Sequence, residues 1–173
     1  MKITKKVNLD TNELNSLIKS LRTLSNDLHK LPNEISKSIA DEGIAYLENL
    51  YSQTHVDPTI DMSDLRCEVI ETNKGHSIVA TGSEILYVEF GTGEEGADNP
   101  HPKKSEFDLN PYNSGYYVSR NISPSGRHFW FYNGVYSEGN PSGKQVFDTS
   151  NYLRDRVVKK IVKEKVGEVI SKV

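Results

Sequence analysis

The chain has 173 residues, with 21 Lys and Arg against 24 Asp and Glu and a net charge of −3. That length suits one domain able to bury roughly 70% of the surface its unfolded form exposes, and the acidic balance argues against a dedicated phosphate-gripping DNA binder. Apolar residues make up only 35% of the chain, the composition of a fold that finishes its burial against a partner.

A single cysteine, Cys67, excludes an intrachain disulfide and a thiolate metal site. It falls in an apolar alternation and reads as a small core residue. The start Met1-Lys2-Ile3-Thr4-Lys5-Lys6 is basic but precedes no apolar signal core. No apolar run approaches the roughly 20 residues of a membrane span. The expectation is a soluble protein made in a reducing compartment.

In chain order, residues 1–53 read as N-terminal helices. Leu14, Leu17, Leu21, Leu24, Leu28, Leu31 and Ile35 follow the three-and-four spacing of one helical stripe. Asp10 with Glu13 resembles a capping box. Pro32 removes an internal hydrogen bond, so the spacing predicts a helix to about Lys30, a kink or new start, and a second run to about Ser52. Ile35, Ile39, Ile44, Leu47, Leu50 and Tyr51 carry the face of that second run. It packs on the domain's own sheet or forms a seam with a neighbour.

Thr54 to Ser63 reads as a loop, and residues 64–147 as a sheet region. Leu65, Cys67 and Val69 alternate with Arg66, Glu68 and Ile70, Asn73-Lys74-Gly75 supplies a turn, and His76 to Thr81 returns as the partner strand. Ser83 is placed to cap a short helix that Gly91 ends. A long polar loop with three prolines spans 91–114. Two aromatic strands follow, Tyr116 to Arg120 and His128 to Tyr132, the second turning back at Asn133-Gly134. Residues 148–173 read as a C-terminal helix with Leu153, Val157, Val158, Ile161, Val162, Val166, Val169 and Ile170 on its apolar face. Gly167 weakens its last turns by about 1 kcal/mol relative to Ala, so its end frays or is held by a neighbour. The sum is a single α+β domain: helices packed on an antiparallel sheet of about four to five strands, with a long loop and no internal repeat.

Chemistry is sparse. None of the five histidines pairs at a zinc-motif spacing, and neither a metal nor a cofactor is implied. Gly91-Thr92-Gly93 fits neither the Walker A nor the dinucleotide spacing. Glu89 lies between Val88 and Phe90; a carboxylate so placed is either a general acid or a structural acceptor. The structural reading has it accept the backbone N–H groups of the Gly91-Thr92-Gly93 turn. The opposing reading is a hydrolase using Glu89 with His101 or His128, and a third is a monomeric adaptor or toxin-like cargo on the same scaffold.

Charge is unevenly distributed. Seven acids lie between Glu84 and Asp108 against Lys103 and Lys104, and seven bases lie between Arg154 and Val173 against three acids. These are two solvated faces, or else patches by which one copy's acids (Glu94, Glu95, Asp98) meet the next copy's bases (Arg154, Arg156, Lys159, Lys160, Lys163).

Two segments carry a resemblance. Tyr87-Val88-Glu89-Phe90-Gly91-Thr92-Gly93 is followed by His101-Pro102, by Tyr112, Tyr116 and Tyr117, by Trp130-Phe131-Tyr132, and by Gly139 to Phe147 before the last helix. This order resembles the head–tail joining and tail-completion proteins of long-tailed phages, with Ser142-Gly143-Lys144-Gln145 standing where that family usually has Ala-Gln-Pro or similar. The resemblance implies a non-enzymatic minor virion protein of the neck or tail, made in the host cytoplasm and needing no cofactor. It implies a homo-oligomeric ring whose lumen passes DNA without sequence-specific binding, stacked between connector or adaptor proteins and the tail terminator or tail tube.

Overall fold

The computed structural model describes residues 11–106, 130–132 and 134–172. Its elements are α1 (Thr11–Gln53), β1 (Arg66–Thr72), β2 (Gly75–Thr81), α2 (Ile85–Phe90), α3 (Gly93–Asp98), a 3-10 turn (Lys104–Glu106), β3 (Trp130–Tyr132), β4 (Val135–Ser137), β5 (Gly139–Asn140), α4 (Gln145–Tyr152), a π-helical turn (Leu153–Val157) and α5 (Val158–Ser171). The architecture is α+β, as the alternation of periodicities implied. Among the described residues the strands form two antiparallel hairpins, β1–β2 and β3–β4.

Of the kink or new start expected at Pro32, the new start does not occur: α1 is one helix of 43 residues with Pro32 inside it. The reason is tertiary. Residues 145–171 form a second continuous helical run, interrupted in pitch only by the π-turn. The two runs lie antiparallel, as four contacts in register show. Lys172 Nζ meets Asp27 Oδ2 at 3.2 Å, Leu24 shares a cleft with Val169, the Tyr46 and Tyr152 rings stack at 4.0 Å, and Gln145 Nε2 donates to Thr54 Oγ1 at 2.6 Å. This splint holds both sides of Pro32, offsetting the roughly 3 kcal/mol that proline costs inside a helix. The expected capping residue Asp10 lies outside the described residues.

The first hairpin forms as its alternation indicated. Thr72 pairs with Gly75 across the two-residue turn Asn73-Lys74, and Gly75 takes φ 119°, a value glycine tolerates without steric cost. Leu65, Cys67, Ile78 and Ala80 then pack on a core of Leu47, Tyr51, Ile60 and Val88. In the second hairpin Tyr132 lies opposite Val135 and Gly134 takes φ 81°, while Asn133 of the expected Asn133-Gly134 turn lies outside the described residues. The strand expected at Tyr116 to Arg120, most of the loop beyond Glu106, and His128 lie outside the described residues.

Three boundaries differ from expectation. Ser83 does not cap α2; its N–H and hydroxyl both bind Asp64 Oδ2, at 2.9 and 2.5 Å. The segment after Gly91 begins as ordered structure, with helix α3 and the 3-10 turn inside the predicted loop. The last helix starts at Gln145, not near Asp148 or Ser150. Among the described residues, no helix is long and apolar enough to cross a membrane.

Candidate functional site: the Glu89 junction

The two segments singled out in the sequence meet in space. Helix α2 ends at Gly91, whose φ of 79° is left-handed. A Cβ there would stand 2.7 Å from Asn140 O and from Ser142 N, so only glycine lets the two segments close. Beyond it Thr92 pairs with Asn140, and Gly93 with Gly139, in an antiparallel bridge.

Glu89 joins these segments chemically. It is 6% exposed, and its carboxylate accepts the backbone N–H of Val146 at 3.0 Å and of Phe147 at 3.2 Å. These are orphan donors of the first turn of α4. The residue in the N-cap position is Lys144, in the left-handed region at φ 60° and without a side-chain cap; a lysine has no acceptor to offer. The cap therefore comes from more than fifty residues away, and the positive end of α4 faces a carboxylate. In return, the C-terminal carbonyls of α2 are taken up by the other segment. Gly143 N–H donates to Val88 O at 2.8 Å, and Glu89 O accepts from Ser142 Oγ at 2.8 Å and Lys144 N–H at 3.3 Å. Each helix end satisfies the other.

His101 completes the junction. It is 4% exposed, between the rings of Phe90 (centroids 4.5 Å apart) and Phe147 (5.4 Å). Its Nδ1 accepts the Lys103 N–H at 3.1 Å, so the ring proton sits on Nε2, which donates to Glu89 Oε1 at 3.1 Å. The expectation that Glu89 serves the Gly91-Thr92-Gly93 turn is thus corrected. A helical side chain leans toward the N-terminus of its own helix, which carries the carboxylate away from the turn that follows and into α4.

The surrounding polar groups reinforce this closure. Asn140, 2% exposed, accepts the Asp57 N–H at 3.1 Å on Oδ1. Asp57 in turn binds the N–H and hydroxyl of Thr59. Burial pushes its carboxyl up, but those hydrogen bonds and one from Ser137 outweigh it, so its pKa lies below the ordinary value. Glu84 Oε2 accepts the Asp61 N–H at 2.6 Å. The Tyr51 phenol, at the core's edge, is pushed far up by burial first and by the Glu89 and Cys67 charges second.

A groove of about 460 Å³ opens beside the junction, lined by Ile85, Leu86, Phe90, Val146 and Phe147 with Lys103 and Arg154 among its polar residues. Glu89 and His101 border it. The dyad in the hydrolase reading is therefore real as a contact, but the carboxylate oxygens already accept three donors.

The charged residues named as inter-subunit contacts are distributed unevenly. Arg154, Arg156, Lys159, Lys160 and Lys163 are all exposed, and Arg154 pairs with its neighbour Asp155 at 2.8 Å. Asp98 is exposed, whereas Glu94 and Glu95 are half-buried. Glu84 and Glu89 are buried and bonded within the chain, so the acidic segment is not one solvated face. Sequence reading missed Lys144 and Ser142 as partners of Glu89. The signal was negative: a helix start with no Ser, Thr, Asp or Asn at its cap. No family model, curated protein or solved structure matches this chain.

Proposed function

We propose that the chain is a structural virion protein of a phage neck or tail. Copies of it form a ring that joins head to tail or completes the tail and lets DNA pass, stacked against connector and tail-tube layers. The observation that carries this reading is the use made of Glu89. The segments that carry the resemblance to tail-completion proteins are welded to each other by a carboxylate whose oxygens take three internal donors. Such a group sets shape; a general acid or nucleophile needs a free face toward substrate. A head-to-tail ring also needs two unlike patches on each copy. The exposed bases of α5 are opposite in sign to Asp98, the exposed one of the three acids named as contacts.

Mass photometry and negative-stain microscopy of the purified chain test the reading. Closed particles of uniform mass are expected, and Lys160→Glu with Lys163→Glu weakens them as rising salt does. A chain that stays monomeric at every concentration, or whose assembly ignores both the charge reversal and salt, defeats the reading as stated.

A further inference from the structure

The solvent side of the last helical run carries charge of one sign. Arg156, Lys159, Lys160 and Lys163 are all exposed, and their spacing of three and four residues sets them along one helical face. Val157, Ile161 and Val169 are buried on the opposite side, against the body of the molecule. Among the described residues none of the four bases holds an ion pair. Asp155, beside Arg156, is occupied by Arg154 through two hydrogen bonds of 2.8 and 3.2 Å. Elsewhere the solvent face mixes signs: along α1, Glu34, Lys37 and Asp41 succeed one another, all exposed, the pattern of an ordinary solvated surface. On the stripe, Arg156–Lys159, Arg156–Lys160, Lys159–Lys163 and Lys160–Lys163 are like-charge neighbours. Such pairs destabilise a helix left in water, and a line of negative charge laid along them relieves the repulsion.

We propose that this stripe is a contact surface for the phosphates of double-stranded nucleic acid. The inference rests on the ring reading, in which DNA passes through the assembly, and names the surface that meets it. From Arg156 to Lys163 the helix rises about 10 Å, a length over which one strand of a duplex presents about three phosphates. The stripe holds no aromatic side chain, so it has nothing to stack on a base. It takes a paired backbone and reads no sequence. It is also narrow. Asp155 and Glu164, both exposed, border it on its two flanks. A flat anionic membrane would meet those acids as well, whereas a rod-shaped polyanion meets the bases between them. Contact with Asp98 of a neighbouring copy neutralises one base and leaves the others for phosphate. With the whole chain at −3 and few phosphates engaged, the grip is weak and salt-labile. Such a grip lets a duplex slide past instead of lodging.

Fluorescence anisotropy of a short labelled duplex, titrated with the purified chain at several salt concentrations, tests the stripe. Log affinity is expected to fall against log salt with a slope of about −3, at about 0.9 per phosphate contact. Two duplexes of unrelated sequence are expected to bind alike. Arg156→Gln with Lys159→Gln is expected to reduce the slope by about 2, with the helical circular dichroism unchanged because both side chains are exposed. Lys165→Gln is the control: Lys165 pairs with Glu168 at 3.3 Å and lies off the stripe, so its loss leaves the slope as it was. No binding at the lowest salt, or a slope that the double variant leaves untouched, overturns the proposal. So does a slope that falls as far in Lys165→Gln, or displacement of the duplex by vesicles of phosphatidylcholine and phosphatidylserine. Wild-type rings that bind no duplex remove the stripe and leave the ring reading standing. A chain that binds duplex through the stripe yet stays monomeric at every concentration removes the ring and leaves the stripe.

Discussion

Glu89 Oε1 accepts from Phe147 N–H and from His101 Nε2, while Oε2 accepts from Val146 N–H. The arrangement leaves no place for a donor at this position. Glu89→Gln keeps the size of the side chain but replaces one oxygen with an NH2 group. In either orientation of the amide, that group faces a backbone N–H or the imidazole N–H. A donor set against a donor in a buried site loses a hydrogen bond and strands a polar group, at about 1–3 kcal/mol. Urea unfolding of Glu89→Gln is therefore expected to show a lower midpoint by that amount, with the native near-ultraviolet spectrum retained at zero urea. An unchanged midpoint would remove the fastening role given to this carboxylate.

At the scale of elements, what the sequence disclosed followed from locality. The β1–β2 turn at Asn73-Lys74 is set by a few adjacent residues and stands where the turn chemistry put it, and Tyr132 pairs with Val135 with Gly134 at positive φ between them. The start of α4 was misplaced because its cap is Glu89, far off in the chain. Ser83 reads locally as a cap because its competitor, Asp64, lies nineteen residues upstream. Pro32 reads locally as a kink or new start because the antiparallel helix that splints α1 enters only at residue 145. The Glu89–His101 pairing was legible in the hydrolase reading, but not the use of the same carboxylate as the distant cap of α4. In this account Pro32 is carried, not required. Pro32 is exposed, so Pro32→Ala restores a backbone N–H to the helix without disturbing a buried side chain. It is expected to raise the stability of the chain by up to about 3 kcal/mol, the usual cost of an internal proline. A higher urea midpoint with more helical dichroism would agree. A lower midpoint would mean that the packing of α1 on its antiparallel partner depends on the shape proline gives it.

The molecule as a whole converges on Gly43, where three parts of the fold meet. This buried glycine of α1 stands against Ile78 of β2 on one side and Leu153, the first residue of the π-turn, on the other. A Cβ added there would lie 2.9 Å from Leu153 Cδ1 and closer still to Ile78 Cδ1. Glycine inside a helix costs about 1 kcal/mol relative to alanine; its presence is explained by the close approach it allows between α1, the first hairpin and the α4–α5 run. Gly43→Ala sets that gain in helix propensity against overpacking, which typically costs about 1–3 kcal/mol, and the balance turns on whether Ile78 can yield. A double-mutant cycle separates the two terms. Ile78→Val removes the Cδ1 methyl that the new Cβ strikes. In the wild type it leaves a small cavity and is expected to destabilise by about 0.5–1.5 kcal/mol. In the Gly43→Ala background it vacates the space the alanine needs, so its cost shrinks or changes sign. A coupling of at least about 0.5 kcal/mol is expected between the two positions. Additive effects would mean that α1 and the hairpin are not in contact through this pair.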